Sequence, residues 1–200
     1  MTIRSVLDNA IIYECFNTLI GENRCRAALV NNYIRPKQTD RILDVGCGPG
    51  NMLPFLPKCG YLGVDPNESY IAAARRRYGD RGDFVVGRIG HLNIDQFGTF
   101  DIVIAIGVVH HLDNSEALDL FRLAFKSVGA GARLITMDGC RTENQSAITR
   151  YLLSQDRGQF VRNQEQYLEL ARSSFQLVIP ELRKDLLRIP YTHLIMECIR

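Results

Sequence analysis

The sequence predicts an α/β protein with a seven-stranded sheet, mostly parallel, an antiparallel last strand, helices on both faces and an N-terminal helical cap. Three observations carry this. Short apolar runs rich in β-branched residues recur at Ile42–Val45, Phe84–Val86, Phe100–Ile106 and Leu134–Met137, as expected of strands covered on both faces. Stretches with helical periodicity separate them. Near the C-terminus two further strand-like runs, Phe175–Ile179 and Tyr191–Met196, are joined by a link short enough for a hairpin.

The 200 residues are enough for one sizeable core, and 46% hydrophobic with 23% charged residues describes a globular rather than a disordered chain. A net charge of +2 gives no reason to expect nucleic acid or an anionic membrane as partner. No apolar run reaches the length of a membrane span, and MTIRSVLDNA has no signal-peptide core, so a cytoplasmic location is expected. Six cysteines (Cys15, Cys25, Cys47, Cys59, Cys140 and Cys198) show no C-x-x-C spacing. They read as free, mostly buried thiols with no metal site.

Taken in order, residues 1–38 form the cap. Ile11, Ile12, Cys15, Phe16 and Leu19 recur at helical spacing up to Gly21; Cys25, Ala28, Leu29 and Tyr33 form a second set that stops at Pro36. A segment placed before the first strand can cover the open end of the sheet, making Tyr13 and Phe16 candidate substrate-pocket residues, with plain packing as the alternative. Residues 39–138 form the core. After the second strand, Asn67 is a candidate N-cap for a helix to about Tyr78. Arg75, Arg76 and Arg77 fall in its last turn, where cations suit the helix dipole, and read as a solvated face. Asp113 with Glu116 forms a capping box for a helix whose buried face is Leu118, Phe121, Ala124, Phe125 and Val128, ended by Gly129. Residues 139–174 form a lid-like segment and a helix opening at Asn163; 175–200 form the hairpin.

The chemistry concentrates in Arg41–Asp65, RILDVGCGPGNMLPFLPKCGYLGVD. It reads as strand, glycine loop, helix from about Asn51, strand and acid, an order that binds nucleosides through loop and helix amides and a ribose-binding carboxylate. The dinucleotide pattern G-x-G-x-x-G is not met, because Asn51 stands at its third glycine. Asp44, at the loop entrance, suits a cation better than a phosphate. A ligand with ribose, an ammonium and no phosphate is S-adenosylmethionine. The motif LDVGCGPG with Asp65 resembles the first two motifs of class I S-adenosylmethionine-dependent methyltransferases, and Gly107–Leu112 (GVVHHL) resembles their small-molecule type after the fourth strand.

The resemblance spans Arg41–Met196 and implies a Rossmann-like sheet. It also implies S-adenosylmethionine as cofactor, leaving as S-adenosylhomocysteine. It assigns the loop residues Gly46, Cys47, Gly48 and Gly50 to the cofactor, with Asp44 orienting the loop and the ammonium. It places Asp65 at the ribose, adds Pro66 to the cofactor-binding residues, and places Ile106 and Gly107 toward the methionine end. Where the family usually has an aspartate for adenine this chain has Arg88, so the backbone near Ile89 is the other candidate. The [DN]-P-P-[FYW] tetrapeptide of nucleic-acid amino-methyltransferases is absent, which points to a small-molecule acceptor. His110, His111 and Asp138 are candidate general bases. Arg157 and Arg162 flank a DRG turn as a candidate clamp for an anionic acceptor, an ion pair with Asp156 being the other use. A cofactor-binding module without catalysis, or less favourably a nicotinamide-dependent oxidoreductase, stays open, as does monomer against homodimer.

Overall fold

The computed structural model describes residues 21–155 and 158–200. Eight strands run in sequence order: β1 (Arg41–Val45), β2 (Gly60–Asp65), β3 (Asp83–Val86), β4 (Phe100–Ile106), β5 (Val128–Arg141), β6 (Arg162–Asn163), β7 (Leu177–Arg183) and β8 (His193–Ile199). The sheet order is β3-β2-β1-β4-β5-β8-β7, with two-residue β6 paired to the end of β5. Pairs among β1 to β5 are parallel; β8 is antiparallel to both β5 and β7. This is the expected mostly parallel sheet with an antiparallel last strand, plus one short strand not foreseen. The order reverses between β1 and β4. In open α/β sheets ligands bind outside the carboxyl ends of the strands at such a reversal.

Period-two alternation divides each central strand between two cores. Leu43, Val45, Val103 and Ala105 face α3 (Asn114–Ser127) and, past α4 (Ala147–Gln155) in the chain, α5 (Gln164–Arg172), where Leu120, Phe121, Tyr167 and Ala171 are fully buried. Ile42, Ile102 and Ile104 face α1 (Glu22–Leu29) and α2 (Glu68–Tyr78), against Leu29, Ile71 and Ala74. A wide helical turn, Val30–Ile34, extends α1. The helix starts follow their caps. Asn67 accepts from the Ser69 and Tyr70 amides, while Asp113–Glu116 and Asn163–Gln166 form reciprocal boxes.

Four expectations need correction. No α-helix follows the glycine loop: only a single 3-10 turn, Leu53–Phe55, separates β1 from β2. Pro57 forces the preceding Leu56 into extended backbone (φ −85, ψ 147), which ends any helix there. Helix α3 ends at Ser127 rather than Gly129 and passes straight into β5, which runs 14 residues instead of four. The hairpin strands start later than expected, because Phe175 is a fully buried anchor packed edge-on to Phe125 rather than a strand residue. Strand β7 then runs through Pro180, which is tolerated at a sheet edge where no outward ladder donor is required. The helix expected before Gly21, with Tyr13 and Phe16, and Arg157 lie outside the described residues.

Candidate active site

At the reversal, the loop after β1 is closed by its own backbone. Gly46 and Cys47 amides donate to the Val64 carbonyl at 2.7 and 3.1 Å, and Gly50 donates to Cys47. Gly46 has φ +73, and a Cβ there would lie 2.5 Å from Val108 Cγ2, so only glycine lets this loop pass under the loop after β4. Gly48 (φ +54) differs: a Cβ added there would meet nothing within 4 Å. That position faces an opening, as a ligand cradle requires.

Asp65, 8% exposed, stitches the cradle together. Its Oδ2 accepts from the Gly48 amide at 2.9 Å and its Oδ1 from the Asn67 amide at 2.8 Å. One lone pair on each oxygen serves this frame, and a second remains to each for ribose hydroxyls. Pro66, next in sequence, is exposed at the rim. The helix amides expected to face the ligand are replaced by the 3-10 turn, whose Leu53 and Phe55 donors are already used by Gly50 and Met52. No pyrophosphate site of the dinucleotide kind can form on them.

Asp44 is 2% exposed and points into the α1/α2 core rather than toward the rim surface, accepting from the Tyr61 hydroxyl at 2.6 Å. Burial pushes its pKa up to about 7, against the lowering pull of Tyr61, and the nearby Asp65 charge adds to the rise. It props the loop from beneath; Tyr61 is the partner that sequence reading missed. Cys47 is buried, and burial with the Asp44 and Asp65 charges drives its thiol far up, so it packs rather than reacts. Ile106 is partly buried against the α1/α2 core, and Gly107 donates to the Met137 carbonyl at 2.7 Å, tying β4's loop to β5. Beyond β3, Arg88 is exposed, while Ile89 packs partly on the opposite core.

On the β5 side two of the three base candidates meet. His110 (6% exposed) and Asp138 (2% exposed) are joined by Nδ1···Oδ1 at 2.8 Å, and the His110 amide also donates to Oδ1 at 3.1 Å. With Oδ1 already accepting from an amide, a neutral imidazole here carries its proton on Nδ1. Asp138 Oδ2 is buried without a hydrogen-bond partner. His111 is exposed, its ring 4.2 Å from that of His110. A Cβ on Gly158 would collide with the His110 ring, so the backbone at Gly158 lies directly against the imidazole. On the other face of β5, Tyr191 and His193 rings lie 4.7 Å apart, and the Tyr191 hydroxyl fills the space above Gly139.

Arg162 corrects its expectation. It is 6% exposed, and all five N–H groups point inward. They reach Asn114 Oδ1 (3.1 and 2.8 Å), Val109 O (3.0 Å), Phe160 O (3.1 Å) and Leu112 O (2.8 Å). No donor remains for a carboxylate or phosphate on a substrate. Sequence gave no signal for this, since Asn114 lies 48 residues away. Among the described residues no group of His, Cys, Asp and Glu is arranged to hold a metal ion.

Comparison with known proteins identifies the fold. Residues 42–131 match the family model described as a methyltransferase domain. A ubiquinone biosynthesis O-methyltransferase of Bradyrhizobium diazoefficiens is 40% identical over 76 residues, 36% of this chain and 30% of its own length. The chain thus spans about a third of the length of the curated relatives it matches. A TehB-like S-adenosylmethionine-dependent methyltransferase from Corynebacterium glutamicum has a TM-score of 0.63 at 19% identity, with 88% of each chain covered. Magnesium protoporphyrin IX methyltransferase from Synechocystis, solved with bound S-adenosylhomocysteine, gives 0.64 at 18% identity, covering 89% of this chain and 81% of its own. The chain therefore has the class I S-adenosylmethionine-dependent methyltransferase fold, and its stretch 42–131 carries the methyltransferase-domain signature. No helix among the described residues is long and apolar enough to cross a membrane.

Proposed function

We propose that this protein is an S-adenosylmethionine-dependent methyltransferase that methylates a small molecule, with a hydroxyl as the group its base serves best. The observation that carries the reading is the meeting of two loops at the sheet reversal. Gly46 passes under Val108, two residues before His110, so the glycine loop of the open cradle and the loop that carries His110 are neighbours, with Asp138 on adjoining β5.

The cradle fits the cofactor: Gly48 leaves room, and Asp65 retains acceptor capacity for two ribose hydroxyls. Gly46, Cys47, Gly50, Ile106 and Gly107 would line its methionine side, with Pro66 and the backbone at Ile89 on the nucleoside side. When bound, S-adenosylmethionine supplies a methyl group on a positively charged sulfur, which leaves without acid assistance. The protein's part is then to align the acceptor, exclude water and take up one proton. Alignment alone is worth effective molarities of about 10⁵ M or more. His110 Nε2 takes the hydroxyl proton, and Asp138 holds the tautomer and stabilises the imidazolium that results. His111, exposed beside it, is the second candidate. The missing helix after β1 speaks against the nicotinamide alternative.

The test is incubation with S-adenosylmethionine and a panel of phenols and hydroxy acids, read by mass spectrometry. Methylated product from the wild-type chain, lost in Asp138→Asn, is the expected result. Cofactor binding with no product across hydroxyl, amine and carbon acceptors would leave a binding module instead.

A further inference from the structure

The segment covering the candidate base is fastened by one buried cation. We propose that Arg162 is a positioning residue: its guanidinium fixes the Val109–Leu112 turn and thereby sets the orientation of His110. This inference rests on the proposed role of His110 as base.

Four observations support it. The guanidinium binds the carbonyls of Val109 and Leu112, which bracket His110 and His111 on both sides. It also binds Phe160 O and Asn114 Oδ1, so one side chain joins the turn, the first residue of α3 and the covering segment. The covering segment is itself stitched to the turn, because the Phe160 amide donates to His110 O at 2.9 Å. Strand β6 holds the same segment to β5 just past Asp138, through Cys140↔Arg162 and Asn163↔Arg141.

The acceptors are four neutral oxygens, and no carboxylate is paired with this buried cation in these contacts. A planar fork with five fixed donors can hold four acceptors spread over three segments; an ammonium with three donors cannot. Tyr167 adds a second brace, donating to Gly139 O at 3.0 Å while accepting from the Arg162 amide at 3.4 Å. His110 is therefore clamped from its backbone on one side and from Asp138 on the other. A loosened turn would let the imidazole leave Asp138 and lose its Nδ1-protonated form.

The experiment compares wild-type protein with Arg162→Lys and the milder Asn114→Ala, by side-chain ¹⁵N NMR of the histidines. His110→Gln assigns the signal. The wild type should show Nδ1-protonated His110, and both variants a mixture of tautomers with unchanged far-ultraviolet circular dichroism. Where an acceptor is in hand, kcat should fall by about 10²-fold, as for a base displaced by an ångström. The KM for S-adenosylmethionine should stay within about twofold, as for an interaction that acts only in the chemical step. An unchanged His110 tautomer in a folded variant would overturn the proposal, as would a wild-type His110 protonated on Nε2. Should Arg162→Lys not fold, Asn114→Ala decides. Absence of cofactor binding would refute the methyltransferase reading while leaving the tautomer result to judge the clamp.

Discussion

On the β1 side of the rim the candidate site is made almost wholly of backbone, and on the β5 side of side chains. Around Gly46–Gly50 the amides close on carbonyls and on Asp65 alone, and glycine φ values above +50 shape the opening. Around His110 the work falls to imidazole, carboxylate, guanidinium, carboxamide and phenol, all drawn from distant parts of the chain. A backbone cradle has few single points of failure, and each costs binding. A side-chain network concentrates its function in one or two atoms, and their loss costs rate. The two halves of the site should therefore respond to mutation in different measurements.

The largest expected effect is on the network side. Asp138→Asn should lower kcat by about 10²- to 10⁴-fold, the usual worth of a positioned base, with cofactor affinity nearly unchanged. Calorimetry beside steady-state kinetics reads both, and a matching loss of affinity would break the division.

Next comes stability through Asp44. Its folded pKa of about 7 lies above its ordinary 3.8, so the folded state holds a proton that the unfolded state has already released. Stability from this group is full below pH 4 and is lost as pH rises through 7, by at most about 4 kcal/mol. Asp44→Asn keeps an acceptor for Tyr61 and should remove that slope, raising Tm at pH 8 more than at pH 5. Equal shifts at both pH values would contradict the assignment.

On the cradle side, Asp65→Ala should weaken S-adenosylmethionine binding by roughly 1.5–3 kcal/mol, the range for hydrogen bonds to a charged group. An unchanged Kd would remove Asp65 from the site. Smallest is Arg88→Ala: the side chain is exposed on the loop after β3, and a change in Kd under about threefold is expected. A larger loss would make Arg88 a cofactor contact in its own right.

Most of the fold was legible because strand β4 and the caps at Asn67, Asp113 and Asn163 are signals local to a few residues. The glycine loop with Asp65 was legible for the same reason, since motif and spacing lie within 25 residues. The helix after the loop was misread because glycine loops commonly open helices, and Pro57 outweighed that pattern. Sequence alone offers Arg162 a substrate clamp or an ion pair with Asp156, because an arginine beside a turn looks solvent-facing until its acceptors are known, and these lie up to 53 residues away. Sequence offers His110, His111 and Asp138 as separate candidate bases, in that order; the contact between His110 and Asp138 needed the fold. Only the structure buries His110 against Asp138 and leaves His111 exposed.

The most direct test of the account is calorimetric titration of the chain with S-adenosylmethionine and, separately, with S-adenosylhomocysteine. The cradle at Gly48 and Asp65 predicts micromolar binding of both, weakened in Asp65→Ala and nearly unchanged in Asp138→Asn. No heat with either ligand would mean that this rim keeps the fold of a methyltransferase without its cofactor site.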